Sequence, residues 1–343
     1  MVSIVNLSIV CLLFVVCVCD KNLAYFSYEQ HDLEDGEHLT NILHNPFLEG
    51  VVDRDVNNIP EGSIHHYVKK REIFGEDDRN EVDRESISAE NRLAELSTVL
   101  ISVGCTGMLV TKEHVLTAAH CIHTEGYFKK GYSSLEVGIE MSYGIEWRQV
   151  LTMFLPSNWT NPDITINPDY YDYAILKIDP ITTTTTTTTP YLPIALTTDI
   201  QHGVNTQISI VAYFDDKPLK TKWMTKCDVI DEDVGIMWHK CDVTYGASGA
   251  GMYSMHMNSV TNQNELRTVG ILSGYNYDYN TELELNYAVR INPINYFYIC
   301  SWTCQMDWCM GQLSEEAKRE IRGQGDGWVL DKLMDSAPPY CAS

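Results

Sequence analysis

The chain has few basic residues for its size. Its 343 residues include 24 Lys and Arg against 47 Asp and Glu, which gives a formal net charge of -23 at pH 7. A protein that binds nucleic acid or an anionic membrane needs an excess of positive charge to displace counterions from phosphates. The composition therefore argues against both partners. With 44% hydrophobic residues, the chain can still bury the core of one large or two small domains.

Long apolar runs are also scarce, and none after the N-terminus is long enough to span a bilayer. Residues 4–18 are apolar apart from Asn6 and Ser8, and the sequence turns polar at Asp20. This run is shorter than the roughly 20 residues of a membrane-spanning helix, and a Cys-Val-Cys triplet before Asp20 supplies the small residues that a signal peptidase requires. We therefore predict a signal peptide over residues 1–19 and a secreted mature protein.

Paired C-x2-C motifs, which a structural zinc site would favour, are absent. Removal of the predicted signal peptide leaves eight cysteines. An even number of cysteines in an exported chain predicts four disulfides in preference to a zinc site, so neither a metal nor an organic cofactor is expected. The eight are Cys105, Cys121, Cys227, Cys241, Cys300, Cys304, Cys309 and Cys341.

The first part of the mature chain is acidic. Residues 20 to about 90 are rich in Asp and Glu, and a basic triplet, Lys69-Lys70-Arg71, interrupts them. We interpret Arg71 as a processing site that ends an acidic prosegment over residues 20–71. The alternative is a solvated cluster of charge.

Strand signals dominate residues 93–300. Short apolar runs alternate with turn residues at the spacing of an all-β fold, and helical periodicity is scarce before residue 295. The region is therefore predicted to be an all-β barrel or sandwich. Two segments do not follow this strand pattern. The threonine run 182–189 predicts a surface loop that could carry O-linked sugars. Ser314–Arg322 predicts a short helix, which lies in a C-terminal extension over residues 304–343.

A serine among small residues raises the question of catalysis. The stretch YGASGAGM places Ser248 between Ala247 and Gly249. Glycine-rich serine loops are common, so the motif alone is weak. An α/β-hydrolase would need glycine at position 250, which is alanine here, followed by Asp and then His, and the only later histidine is His256. That fold is disfavoured.

Partners for Ser248 lie earlier in the chain. His120 precedes Cys121 at the end of an apolar strand, and Asp172 directly precedes another strand, between tyrosines that can shield it from water. Each residue taken alone is more often structural. The chain order His, Asp, Ser is nevertheless one of the known orders of a catalytic triad on an all-β scaffold. Their occurrence together favours catalysis.

A family resemblance is carried by the stretches CTGMLVTKEHVLTAAHC, DYAILKI and GASGAG. They resemble the three catalytic blocks of the chymotrypsin-like serine peptidases. The similarity is closer still to the secreted vertebrate group that includes serine protease 23 and its inactive relative serine protease 35, through KCDV, CDVTYGASGAGMY and NYAVRI. It runs from about Lys69 to Trp302. It implies a chymotrypsin-like double β-barrel, a trypsin-like domain over residues 72–303, with the active site between the barrels.

The resemblance implies a role for each residue of the triad. Ser248 is expected to be the nucleophile and His120 the general base and acid, while Asp172 orients the imidazole. The backbone N–H groups of Gly246 and Ser248 are expected to form the oxyanion hole, because a glycine at position 246 can adopt a peptide orientation that a Cβ would oppose.

Specificity and activation depend on four further positions. Asp242 falls where the resemblance puts the floor of the primary pocket, which would favour Arg or Lys in the substrate, although Thr244 replaces the usual cysteine beside it. Ser273 is implied to start the edge that pairs with the substrate backbone. Ala247 stands where the trypsin-like branch has an Asp that pairs with the newly freed N-terminus. We therefore expect processing at Arg71 to remove the prosegment without forming that ion pair.

The resemblance also bears on the disulfides. It supports Cys105–Cys121 and Cys227–Cys241. The last four cysteines allow three connectivities, of which we favour Cys300–Cys309 and Cys304–Cys341. Asn158 in NWT is the only sequon of the mature chain and is predicted to carry a glycan on a surface loop.

Together these features predict a secreted serine endopeptidase, made as a zymogen, that cleaves peptide bonds through an acyl-enzyme intermediate. Its expected partners are a protein or peptide substrate and a protein inhibitor. The alternative is a catalytically weak or inert pseudo-protease that acts as an extracellular binding module.

Overall fold

The computed structural model describes the chain from residue 73 onward with gaps, together with the backbone of two earlier strands. The described ranges are 27–30, 39–44, 73–83, 85–124, 127–128, 135–160, 167–181, 191–196, 206–258, 263–278, 283–305, 309 and 311. Several sequence predictions lie outside them. These are the signal peptide, Arg71, the threonine run 182–189, the helix at Ser314–Arg322 and Cys341.

Strands form most of the described chain. In chain order they are β1 (Ser27–Gln30), β2 (Leu39–His44), β3 (Asn80–Glu81), β4 (Thr98–Ile101), β5 (Cys105–Leu109), β6 (His114–Thr117), β7 (His123–Thr124), β8 (Tyr127–Phe128), β9 (Glu136–Met141), β10 (Gly144–Pro156), β11 (Ala174–Ile178), β12 (Gln207–Ala212), β13 (Trp223–Glu232), β14 (Ile236–His239), β15 (Gly251–Asn258), β16 (Gln263–Asp278) and β17 (Leu283–Arg290). The helices are α1 (Ala89–Ser97), α2 (Ser157–Thr160) and α3 (Pro293–Trp302), with 3₁₀ turns at Ala119–Cys121 and Pro168–Tyr171.

Two closed antiparallel barrels contain these strands. The first is the ring β10-β11-β6-β5-β4-β9, which the pairing of β9 with β10 closes. The second is the ring β12-β15-β16-β17-β14-β13, which the pairing of β12 with β13 closes. Each ring has six strands, so the predicted all-β, chymotrypsin-like double barrel is confirmed. Outside the rings, β2 joins β10 in parallel and β3 joins β13.

Each barrel surrounds its own apolar core. Leu109, Leu116 and Ile175 are fully buried in the first barrel, and Ile210 and Met252 are fully buried in the second. Burying one such side chain contributes about 1.5–3 kcal/mol relative to leaving it in water. Because closure removes the free edges of each ring, the loops between strands are held at fixed places at the barrel ends.

Helix α3 packs across the first barrel after the chain leaves the second. Asn292 caps it by accepting a bond from Asn295 N, and Pro293 occupies its first turn. Trp302, 1% exposed, lies with its ring centroid 6.1 Å from that of Phe154 and 5.7 Å from that of Tyr173. The sequence analysis missed this helix, because its side chains are apolar on nearly every side and show little amphipathic periodicity.

Helix α1 corrects the predicted start of the β region. The sequence analysis began the strands at residue 93, but α1 extends to Ser97 and β4 begins at Thr98. Ser88 caps the helix by accepting from Asn91 N. Buried Lys222 donates to the Glu95 backbone oxygen over 2.6 Å and lies 3.1 Å from its carboxylate. Burial lowers the pKa of Lys222, while the charge of Glu95 opposes that shift.

Three of the predicted disulfides are present. They are Cys105–Cys121, Cys227–Cys241 and Cys300–Cys309. Cys304 is also disulfide-bonded, but its predicted partner is not among the described residues, so that pairing stays a prediction. In the loop-entropy description, closing a loop of about 15 residues stabilises the fold by about 3 kcal/mol.

Two further findings concern the predicted glycan site and membrane-spanning helices. Asn158 lies in the one-turn helix α2 instead of the expected loop, and it is partly exposed. Within the described ranges, no helix is long and apolar enough to cross a membrane.

The buried imidazole of His114 predicts a loss of stability in acid. His114 is 3% exposed and lies 2.9 Å from Thr111 Oγ1, and desolvation lowers its pKa from 6.5 to about 3. Below pH 6.5 the unfolded chain binds a proton that the folded chain rejects, so stability falls until the pH approaches 3. We expect this one group to lower the free energy of unfolding by about 2 kcal/mol at pH 5 relative to pH 7.5. Urea unfolding of wild type and His114→Gln at both pH values measures it, and equal pH dependence in the two proteins would contradict the assignment.

Candidate active site

His120 lies in the 3₁₀ turn that follows β6 in the first barrel. The Cys105–Cys121 disulfide ties this turn to β5, so the histidine backbone is held from both sides. Its side chain is 15% exposed and therefore reachable from solvent. His120 thus lies where the sequence analysis expected it, at the end of an apolar strand and next to a disulfide.

Asp172 lies between the 3₁₀ turn Pro168–Tyr171 and β11. Its carboxylate is fully buried. The neighbouring Tyr173 is also fully buried and packs on Trp302, so α3 helps to close this side of the site to water. Asp172 is thus shielded from water, and the tyrosine that follows it packs against α3.

The loop that carries Ser248 joins the two barrels. It belongs to the second barrel, but Ser248 O accepts from Thr106 N of β5 over 2.8 Å. Gly249 has a φ of +81°, and a Cβ at this position would overlap Thr117 Oγ1 and Thr106 O. Glycine is therefore required after Ser248 both by the backbone conformation and by the close approach of the first barrel.

A continuous chain of hydrogen bonds connects the three side chains. His120 Nε2 lies 2.9 Å from Ser248 Oγ, and His120 Nδ1 lies 2.7 Å from Asp172 Oδ2. The other oxygen, Asp172 Oδ1, accepts from His120 N over 2.7 Å. This arrangement fixes the Nδ1–H tautomer, because a buried carboxylate can only accept, and it leaves Nε2 free to accept the serine proton.

Two backbone N–H groups beside Ser248 have no protein acceptor among the described residues: those of Gly246 and Ser248. Gly246 has a φ of +87°, and a Cβ there would lie 2.7 Å from Tyr213 O. Tyr245 O, in the same peptide as Gly246 N, accepts from Asp215 N over 2.9 Å, and the Gly246 oxygen accepts from Thr106 Oγ1 over 2.8 Å. The peptides on both sides of Gly246 are therefore held. The two N–H groups can thus bind a developing negative charge next to Ser248 Oγ.

The two predicted substrate-binding residues are both buried. Ser273 lies in β16, and its hydroxyl donates to Asp172 Oδ2, a contact that the sequence analysis did not foresee. Asp242, 2% exposed, accepts from Phe74 N over 2.7 Å and from Asp78 N over 2.9 Å. The structure brings Ser273 to the triad and joins Asp242 to the segment after Arg71. Their roles in substrate binding stay predictions.

Sequence reasoning missed two residues that hold the Ser248 loop. Thr106 contacts it from the first barrel, as described above. Arg79 contacts it from the N-terminal side, with its Nη1 3.0 Å from Thr244 Oγ1 and 2.9 Å from Asp216 Oδ1. An arginine that follows a run of acidic residues is only a weak signal that Arg79 contacts this loop. Nothing in the sequence around Thr106 indicates that Thr106 contacts it.

Among the described residues, two groups of side chains have the composition of a metal site. They are Cys105, His120 and Cys121, and Cys227, His239 and Cys241. All four cysteines are in disulfides, so they have no thiolate to offer to a metal ion. Neither group fits a metal centre.

Known proteins resemble parts of this chain. Residues 105–260 match the trypsin-like peptidase domain. Serine protease 23 of Homo sapiens is 29% identical over 264 residues, which cover 70% of this chain and 66% of that protein, and serine protease 23 of Bos taurus is 29% identical over 254 residues, which cover 68% and 66%. Inactive serine protease 35 of Homo sapiens is 22% identical over 295 residues, which cover 68% of each chain.

A solved structure of a Glu endopeptidase in complex with MPD gives a TM-score of 0.48 at 22% identity, covering 66% of this chain and 97% of that one. The alignments span about two thirds of the length of the curated relatives. The matched residues include His120, Asp172 and Ser248. Residues 105–260 are thus similar to the trypsin-like peptidase domain.

Proposed function

We propose that this protein is a secreted serine endopeptidase in which Ser248, His120 and Asp172 form the catalytic triad. The observation that carries the proposal is the unbroken chain of hydrogen bonds from Ser248 Oγ through His120 to Asp172. A serine hydroxyl is a poor nucleophile unless a base removes its proton, and the base needs an orienting partner. Secretion is supported by the disulfides, which persist in oxidising compartments.

The geometry supports a two-step mechanism. Ser248 Oγ attacks the peptide carbonyl carbon while His120 Nε2 takes its proton, and Asp172 stabilises the imidazolium that forms. The N–H groups of Gly246 and Ser248 bind the oxyanion, a contact that is typically worth about a hundred- to a thousandfold in rate per donor. His120 then protonates the leaving amine, and a water molecule attacks the acyl-enzyme by the same route in reverse.

A pseudo-protease that binds a partner is the alternative, and one relative is named inactive. We favour the enzyme because the side chains of Ser248, His120 and Asp172 lie within hydrogen-bond distance, and because Gly246 has the positive φ that the proposed oxyanion hole requires. A binding module would have no chemical requirement for that full set.

A fluorophosphonate probe tests the proposed activity. Processed wild type is expected to be labelled at Ser248, because His120 and the two backbone donors make this hydroxyl more reactive than any other serine. Ser248→Ala should abolish labelling and His120→Ala should reduce it by about a thousandfold or more. Intact-protein mass spectrometry measures the adduct. Labelling that persists in both variants, or is absent from folded and processed wild type, would favour the binding module.

Activation forms a second part of the proposal. Cleavage after Arg71 removes the acidic prosegment, and Ala247 cannot accept the new N-terminal ammonium. We expect Arg71→Ala to be secreted unprocessed with reduced hydrolysis of a protein substrate, while acetylation of the N-terminal amine of the processed form leaves its rate unchanged. Full activity of unprocessed Arg71→Ala would make processing irrelevant, and loss of activity on acetylation would contradict the argument from Ala247.

The most specific part of the proposal is a preference for Arg or Lys before the scissile bond. The bonds from Phe74 and Asp78 use one acceptor site on each oxygen of Asp242, so the carboxylate retains capacity for a guanidinium. The charge of Asp242 also contributes to the raised pKa of Asp78, after the larger effect of desolvation. Two neighbouring carboxyl groups favour a cationic side chain in the substrate.

Ester substrates with Arg, Glu, Phe or Leu next to the ester test this preference. We expect the Arg ester to be hydrolysed fastest, and Asp242→Asn to lower that rate about tenfold or more while leaving the Leu ester rate within about twofold. Equal rates across the panel, or a preference for Phe, would remove Asp242 from the substrate pocket.

A further inference from the structure

A buried arginine lies next to the loop that carries the proposed nucleophile. The Arg79 side chain is 1% exposed, and its guanidinium carbon lies 4.6 Å from the centre of the Phe214 ring. It forms a bidentate pair with Asp216 at 2.9 and 2.5 Å and a second pair with Asp77 at 2.8 Å. Such planar, two-bond pairing fixes the orientation of both partners.

Thr244 connects this network to the loop that carries Ser248. Thr244 Oγ1 donates to Asp216 Oδ1 over 2.6 Å and accepts from Arg79 Nη1 over 3.0 Å. Asp215 N donates to Tyr245 O over 2.9 Å, which adds a main-chain bond between the same two loops. The segment 213–216 that Arg79 holds is also the backbone on which Gly246 packs, since a Cβ at Gly246 would contact Tyr213 O and Asp215 N.

The arginine belongs to the segment directly after the proposed processing site. This segment, residues 74–81, is fixed to the second barrel in two further ways. Asp242 accepts from the N–H groups of Phe74 and Asp78, and β3 pairs with the start of β13. None of these contacts involves the α-amine that cleavage after Arg71 would create.

We propose that Arg79 is a positioning residue for the oxyanion hole, which it holds through Asp216 and Thr244 in place of a terminal ion pair. This inference rests on the proposed peptidase function. In the trypsin-like branch, the newly freed N-terminus supplies the cation. Here the Arg79 guanidinium supplies it, and this group bonds the hydroxyl of Thr244, two residues before Gly246. Because Arg79 is part of the chain on the mature side of Arg71, the support is present before and after processing.

The test removes the link at Thr244, since loss of the buried Arg79 charge can unfold the protein. Thr244→Val deletes the hydroxyl at nearly constant shape, Thr244→Ser retains it, and Asp216→Asn weakens the pair with Arg79. Thr221→Val is the matched control, because its hydroxyl donates to Pro218 O and accepts from Trp223 Nε1, and neither bond reaches Arg79, Asp216 or Thr244. Each protein is assayed on an ester and on the corresponding thionoester, whose sulfur is a weak hydrogen-bond acceptor.

We expect Thr244→Val and Asp216→Asn to lower kcat on the ester about tenfold, the rate equivalent of about one hydrogen bond, with KM changed less than about twofold. Their ester-to-thionoester rate ratio should fall by a similar factor, because only the ester gains fully from aligned oxyanion donors. Thr244→Ser should recover most of the rate. Thr221→Val should match wild type in both rates, although the lost bond from Trp223 lowers its melting temperature.

Three results would overturn the inference. They are an unchanged kcat in Thr244→Val, an equal loss on ester and thionoester, and a loss that follows the melting temperature alone. An active wild type with unaffected variants refutes the positioning role and leaves the peptidase function intact. A wild type that hydrolyses neither substrate refutes the proposed function, and the positioning role with it.

Discussion

The burial of the Asp172 carboxylate is the constraint on which the rest of the site depends. A charge removed from water is tolerated only where donors satisfy its oxygens. Here the donors are the backbone N–H and the imidazole of His120 and the hydroxyl of Ser273. Two of these donors come from the first barrel and one from the second. The barrels must therefore meet in one relative position for the carboxylate to remain ionised and buried.

Contacts elsewhere between the barrels reinforce that position. Thr106 of β5 donates its N–H to Ser248 O and its hydroxyl to Gly246 O. Lys222, at the start of β13, lies 3.1 Å from the Glu95 carboxylate and 3.3 Å from that of Glu140 in β9. The Thr106, Lys222 and Glu95 side chains are buried, so removing one of them would leave a desolvated polar partner, and this penalty resists relative movement of the barrels.

A preorganised site follows from this rigidity. Ser248, His120 and Asp172 are spread over two closed barrels, yet the imidazole lies within hydrogen-bond distance of both the Ser248 hydroxyl and the Asp172 carboxylate. Donors that are already aligned need no reorganisation when charge develops, which is the physical source of oxyanion stabilisation. The contacts of Arg79 and Thr106 extend the same principle to the backbone around Gly246.

Local patterns in the sequence indicated the all-β class and the candidate residues His120, Asp172 and Ser248, because strand alternation and small residues around a serine extend over short stretches. The resemblance to the chymotrypsin-like peptidases added the double barrel and the pairings Cys105–Cys121 and Cys227–Cys241, which the structure contains. The sequence did not reveal α1 or α3: α1 is short, and α3 is apolar on nearly every side, so its place is set by packing against Phe154 and Tyr173. Tertiary structure alone decided that Ser273 donates to Asp172, that Asp242 holds Phe74, and that Arg79 reaches Thr244. These contacts join residues that are more than a hundred positions apart. No local pattern encodes such pairs, since closure of the barrels is what brings them within hydrogen-bond distance.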